Sequence, residues 1–280
     1  LYLITVIQFI DRSITVQLFL EYYSNPNNID LVNIMKKILY LLLICFCVKT
    51  QAQKRKIPVD TIVVTNHATL IKGKTVKYEA QAGMQPIWNE DGNPVATLFY
   101  TFYRRTDIKN VNKRPLIFSF NGGPGSGSVW MHIAYTGPKV LKIDEEGFPV
   151  QPYGYKSNPN SILDVADIVF INPINTAFSR ILDVDGKKPE REQFFGVNED
   201  IGYLAEWINT FVTRKERWES PKYIIGESYG GTRVMGLSAA LQEKQWMYLN
   251  GVILVSPADY KTLRVGGPVS SALNLSLIHI

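Results

Sequence analysis

Tyr223-Ile224-Ile225-Gly226-Glu227-Ser228-Tyr229-Gly230-Gly231 is the stretch on which the fold turns. A short run of strand-forming residues ends at Gly226, and Ser228 stands at the centre of a G-x-S-x-G pattern. Beyond it, Val234, Met235, Leu237, Ala239, Ala240 and Leu241 supply the apolar positions of a helix. A strand, a sharp turn and a helix in that order lift a serine clear of a sheet at a helix N-terminus, the position a nucleophile needs. Glycines are required there because the turn is strained and the flanking backbones approach closely. Stripped of this context, the same residues would be only a glycine-rich turn with a capping serine.

Working outward, Lys222 to Gly226 reads as a strand, about Gly230 to Lys244 as a helix and Gly251 to Ser256 as the next strand. Pro115 to Phe120 and Asp167 to Asn172 are compact apolar runs ending at a glycine turn and at Pro173, the pattern of buried parallel strands. Between Asn198 and Arg214, the residues Ile201, Leu204, Ala205, Ile208, Phe211 and Val212 recur at helical spacing. Glu199 and Asp200 open that segment and Arg214 and Lys215 close it, charges that suit a helix dipole. Alternating strands and helices predict an α/β fold, with a mostly parallel sheet and right-handed crossovers. Upstream, Thr61 to Thr65, Thr69 to Ile71 and Thr75 to Glu79, around Lys72-Gly73-Lys74, predict a leading antiparallel hairpin. Val95 to Arg105, after the turn cluster Asp91-Gly92-Asn93-Pro94, predicts a further strand.

Asn121-Gly122-Gly123-Pro124-Gly125 follows the Pro115 to Phe120 strand, where acyl-transfer chemistry needs backbone N–H groups turned toward a reacting carbonyl. Only nearly bare backbone approaches that closely. No Lys-Ser or Lys-Thr follows the glycines, which argues against a phosphate loop.

Together, Asn121-Gly122-Gly123-Pro124-Gly125 and Gly226-Glu227-Ser228-Tyr229-Gly230-Gly231 resemble the serine carboxypeptidase family, from about Tyr78 to about Leu275. The resemblance implies an α/β-hydrolase fold with Ser228 as nucleophile and the backbone N–H groups of Gly123 and Tyr229 as oxyanion hole. It also implies that Asn121 and Glu227, with Gly122 beside them, bind the free carboxylate of a peptide. Glu227 next to a substrate carboxylate would be a like-charge clash unless one of them held a proton, which favours activity at acidic pH. Two departures are visible. Ser119 and Ser126-Gly127-Ser128 replace a Trp and a Cys-Ser-Ser common in the family, so the chain looks more like its bacterial branch. Asn175 and Ala177 replace glycines in Asn172-Pro173-Ile174-Asn175-Thr176-Ala177-Phe178-Ser179, which resembles the family's D-P-V-G-T-G-F-S segment.

A hydrolase of this kind also needs a base and an acid, in the order Ser, Asp/Glu, His. His67 and His132 precede Ser228, so for His132 a surface or core role is expected. Asp259 and His279 satisfy the order formally, but no further strand and helix units separate them. In the family the acid and the base lie far beyond this length. The expectation is therefore that residues 53–280 are the N-terminal portion of a carboxypeptidase domain, with the C-terminal part of the sheet missing and the chain as given catalytically deficient. Trp130, Tyr135, Phe194, Phe195 and Trp218 could line a pocket, but core packing is the default expectation.

Met35-Lys36-Lys37, the apolar run Ile38 to Val48, and Thr50-Gln51-Ala52 have the charged, apolar and small-residue parts of a signal peptide over residues 35–52. The run is too short to span a bilayer. It predicts export, to a periplasmic or extracellular site, with no stable membrane anchor after cleavage. Residues 1–34, which begin without Met, are expected to be upstream read-through. Both cysteines, Cys45 and Cys47, then leave with the signal. The net charge of +5 over 280 residues has no concentrated basic stripe, which gives no case for nucleic acid. No metal and no organic cofactor is implied; the expected partners are peptide substrates with a free C-terminus. Two other readings stay open: an acyltransferase or esterase on the same machinery, and a non-catalytic fragment or binding protein.

Overall fold

The computed structural model describes residues 57–258. The segments read as upstream read-through and signal peptide, and Asp259 and His279, lie outside the described residues.

The chain opens with β1 (Thr61–Ile71) and β2 (Lys74–Trp88), an antiparallel hairpin in which Thr61 faces Met84 and Ile71 faces Lys74. Its two-residue turn has Lys72 and Gly73 at φ 47° and 77°, the paired positive values that such a hairpin requires. Where the sequence suggested two short pieces, β1 is one strand. Asn66, His67 and Ala68 pair with Glu79, Tyr78 and Lys77, and because nearly all of β1 is exposed its polar residues need no alternation. Pro86 sits inside β2 but past the end of β1, where its missing N–H breaks no bond to that strand.

There follow β3 (Pro94–Arg105), β4 (Leu116–Phe120), one turn of π-helix at Met131–Thr136, and a small separate ladder of β5 (Lys139–Leu141) with β6 (Tyr155–Ser157). Then come β7 (Asp167–Ile171), the two-residue β8 (Arg180–Ile181), α1 (Val197–Arg214), β9 (Lys222–Glu227), α2 (Tyr229–Gln245) and β10 (Gly251–Val255). The main sheet runs β1-β2-β3-β7-β4-β9-β10, with β8 added to β3. Strands β7, β4, β9 and β10 are mutually parallel, and β1 to β3 join antiparallel. From β4 the chain crosses first to β7 on one side and later to β9 on the other. The crevice between β4 and β9 is thus the switch point at which such sheets place their sites.

Alternation along the buried strands sends side chains to two faces. Leu116, Phe118 and Phe120 of β4, Val169 and Ile171 of β7 and Ile224 of β9 meet Leu204, Trp207, Ile208 and Phe211 of α1 and Val234, Leu237 and Leu241 of α2. Ile117, Ile168, Phe170 and Ile225 face the other way, onto Met131 and Ala166. At the entry to β7, the fully buried carboxylate of Asp167 is gripped by Arg114 Nε at 2.7 Å, Arg217 Nη1 at 2.7 Å and the backbone N–H of Arg105 at 3.0 Å. Burial draws the Arg217 guanidinium below its ordinary pKa, against the opposing pull of Asp167. At the edge opposite β1 among the described residues lies β10, whose Val252, Ile253 and Leu254 are each 41% exposed.

Candidate active site

Phe120, the last residue of β4, pairs with Gly226 of β9, so the glycine loop and the Ser228 turn emerge side by side from neighbouring parallel strands. Ser228 has φ 58° and ψ −122°, a strained conformation for a residue with a Cβ. The strain is held from three directions. Ser228 N–H donates to Val255 O at 3.0 Å, while its carbonyl accepts from Gly231 N at 2.9 Å and Ala258 N at 3.0 Å. Glycine is obligatory on both sides: a Cβ on Gly226 would lie 2.1 Å from Gly230 O, and one on Gly231 would lie 2.6 Å from Pro257 Cβ.

The first loop is packed against the turn just as tightly. A Cβ on Gly122 would sit 2.6 Å from Tyr229 N, 2.7 Å from Glu227 O and 2.7 Å from Ser228 Cβ. Gly123 has φ 117°, open only to glycine without strain. All six residues expected at the site are therefore brought together: Asn121, Gly122 and Gly123 from one loop, Glu227, Ser228 and Tyr229 from the other.

Asn121 and Glu227 touch directly, Asn121 Nδ2 donating to Glu227 Oε2 at 3.1 Å. The orientation of the amide is fixed by its other end, where Oδ1 accepts from Met131 N–H at 3.0 Å. That second bond comes from the π-helical turn, a local irregularity that periodicity could not reveal. The exit of the loop is pinned by Ser128, whose N–H donates to Asn172 Oδ1 at 2.8 Å and whose hydroxyl donates to Ser119 O at 3.1 Å. At the Asn172 to Ser179 segment, both substituted positions have positive φ, Asn175 at 58° and Ala177 at 45°. Asn tolerates that conformation through its short polar side chain; Ala carries the strain.

Beside the turn lies a pocket of about 360 Å³. Pro124 and Gly125 of the glycine loop, Ile174 and Thr176, Phe194, Phe195, Val197 and Tyr229 form its walls, with Asp200, Tyr203 and Arg233 among its lining. Of the five aromatics expected in the core, only Phe194 is buried. Trp130, Tyr135, Phe195 and Trp218 are all exposed, because they stand on loops and helix ends outside the two sheet faces. Sequence reasoning missed Asp200 and Arg233. Asp200 was accounted for by its place in the first turn of α1, yet its carboxylate turns inward and accepts from Arg233 Nε at 2.6 Å and the Tyr203 hydroxyl at 2.8 Å. Burial, aided by the charge of Asp200, raises the Tyr203 pKa well above its ordinary value, so the phenol stays a donor. A signal existed: Tyr229, Arg233 and Leu237 stand at i, i+4 and i+8 on α2, which puts an arginine in the buried stripe.

Neither described histidine serves the serine. His67 lies on β1, stacked on Tyr78, and four strands separate β1 from β9 in the sheet order. His132 is half-buried, stacked on Phe170 with ring centroids 4.5 Å apart and bonded to the Tyr103 hydroxyl at 2.6 Å. Among the described residues, no side chain hydrogen-bonds the Ser228 hydroxyl. Burial lowers the His132 pKa to about 4, against about 6.5 for a free ring. The unfolded chain therefore binds this proton first as pH falls, and stability contributed by the neutral ring is complete above about pH 6.5 and is lost toward pH 4. The expected loss is about 3 kcal/mol across that window, read as a falling urea midpoint between pH 7 and pH 4. His132→Gln should flatten the fall; an equally steep variant would mean that other groups cause it.

With this geometry in place, comparison with known proteins gives the class. A sequence model described as "Serine carboxypeptidase" matches residues 72–278, well over half of the chain. Serine carboxypeptidase-like 31 of Arabidopsis thaliana is 24% identical over 186 residues, covering 65% of this chain and 35% of that protein. The pheromone-processing carboxypeptidase kex1 of Aspergillus niger is 28% identical over 148 residues, covering 52% of this chain and 22% of that one. The chain belongs to the serine carboxypeptidase family, and its mostly parallel sheet with leading antiparallel strands is an α/β-hydrolase sheet. The match spans about a third of the length of the first curated relatives, 30%, 35% and 33%. Among solved structures, a peroxisomal alpha-beta-hydrolase of Saccharomyces cerevisiae overlaps at a TM-score of 0.36 and 11% identity, covering 71% of this chain and 44% of that one. That overlap is too partial to bear on the fold or the function.

Proposed function

We propose that this chain supplies the nucleophile, the oxyanion loop and the carboxylate clamp of an exported serine carboxypeptidase that releases C-terminal residues from peptides. The observation that carries the reading is the hydrogen bond between Asn121 and Glu227, formed where the Ser228 turn and the glycine loop meet. In this reading the Ser228 hydroxyl attacks the last peptide carbonyl, and the oxygen that becomes negative is met by the N–H groups of Gly123 and Tyr229. The departing residue is recognised by its free carboxylate, which approaches Asn121, Gly122 and Glu227. The acceptor of the serine proton is assigned to a group outside the described residues. Export rests on the Met35 to Ala52 segment alone; among the described residues no helix is long and apolar enough to cross a membrane.

The clamp reading is tested by binding, which needs no base. Calorimetric titration of an N-acylated dipeptide with a free carboxylate should give a Kd about tenfold or more below that of its C-terminal amide, the scale of one charge-assisted hydrogen bond. Asn121→Ala should erase most of that preference. Equal binding of acid and amide would favour the esterase or acyltransferase reading instead.

A further inference from the structure

Arg233 is 3% exposed, and a buried guanidinium is costly unless its donors are met. Asp200 alone would neutralise it, through the 2.6 Å bond from Nε. Yet a second arm of the fork goes elsewhere: Nη1 donates to the backbone carbonyl of Asn121 at 3.0 Å. The guanidinium also lies over the Tyr229 ring, 5.3 Å from its centroid, and 5.8 Å from that of Phe120. One side chain of α2 thus touches the end of β4, the clamp residue and the residue after the nucleophile. Its counter-ion is itself anchored, because Asp200 accepts from Tyr203, whose oxygen accepts from Ile174 N–H at 3.2 Å.

The carbonyl that Arg233 holds is one end of a planar unit. The Asn121–Gly122 peptide is not among the cis bonds, so its C=O and N–H point in opposite directions. Fixing Asn121 O therefore fixes the direction of Gly122 N–H. The start of α2 crowds the same carbonyl: a Cβ on Gly230 would lie 3.1 Å from Asn121 O. We propose that Arg233 is a positioning residue for carboxylate recognition, holding the Asn121–Gly122 peptide plane so that the Asn121 amide and Gly122 N–H both face the substrate's C-terminus. Lysine cannot replace it, since a single ammonium on a flexible stem lacks the fork that spans Asp200 and Asn121.

The proposal rests on the clamp reading, and the two fail differently. With the full 280-residue chain, the acid-over-amide preference in binding is measured for wild type, Arg233→Lys, Arg233→Met and the double variant Asp200→Asn/Arg233→Met, with circular dichroism as a check on folding. Arg233→Lys keeps a charge opposite Asp200 and is the decisive variant if Arg233→Met does not fold. The expected result is a preference lowered about tenfold in both single variants and not regained in the double, where charge balance is restored but the peptide plane stays unheld. A preference kept in Arg233→Lys, or regained in the double variant, overturns the proposal while leaving the clamp intact. A wild-type chain without any preference sinks the clamp and this proposal together.

Discussion

Gly122→Ala is expected to leave a folded protein whose Ser228 reacts with a fluorophosphonate about 100-fold more slowly than in the wild-type chain. The new methyl group would have to occupy a point 2.6 Å from Tyr229 N and 2.7 Å from Ser228 Cβ, closer than carbon atoms come in real structures. Two of its three nearest atoms, Tyr229 N and Glu227 O, are backbone, so no rotamer change relieves the contact. The loop must back away from the turn, and Gly123, one residue on, moves with it. If the N–H groups of Gly123 and Tyr229 stabilise the negative oxygen, separating them costs at least one donor, on the order of 3 kcal/mol or 10²-fold in labelling rate. Labelling at an unchanged rate, in a protein with unchanged circular dichroism, would show that the glycine loop is not part of the reactive site.

Asp167→Ala attacks stability rather than chemistry and should be the most damaging single change in the body of the fold. It leaves Arg114 and Arg217, 7% and 2% exposed, facing each other without the carboxylate that both of them bind. Breaking a buried ion pair by removing one partner typically costs about 3–5 kcal/mol, a large share of the 5–15 kcal/mol that holds a domain together. The urea midpoint should fall accordingly, and Asp167→Asn, which keeps an acceptor but not the charge, should fall less. Arg217→Met added to Asp167→Ala should recover part of the loss by removing one orphaned cation. A loss under about 1 kcal/mol would mean that water or a neighbouring acid replaces the missing charge.

What could be read from sequence follows from how local each signal is. The Ser228 turn was legible because strand, glycines and helix are contiguous, and α1 because its apolar residues repeat at helical spacing. Strands β4 and β7 were legible as apolar runs bounded by turn residues. By contrast, β1 is exposed along most of its length, so burial left no alternation to mark it as one strand. The β5–β6 ladder is three residues on each side, too short to carry a pattern. The Arg233 bond to Asn121 joins positions 112 residues apart, and nothing local to either predicts it. Sequence reasoning also took Asp200 as a dipole partner, a role that exposed Glu199 can fill, while Asp200 turns into the core.

The pairing of Phe120 with Gly226 has a last consequence, for where variation is tolerated. Asn121 follows the one residue and Glu227 the other, so the separation of these two residues is set by the spacing of adjacent strands, about 4.8 Å. Such a gauge does not depend on the length or sequence of any loop. Insertions in the 142–154 connection between β5 and β6 can therefore accumulate without changing the spacing of Asn121 and Glu227. A slip of one residue between β4 and β9 would turn every side chain to the opposite face and part Asn121 from Glu227 at a stroke.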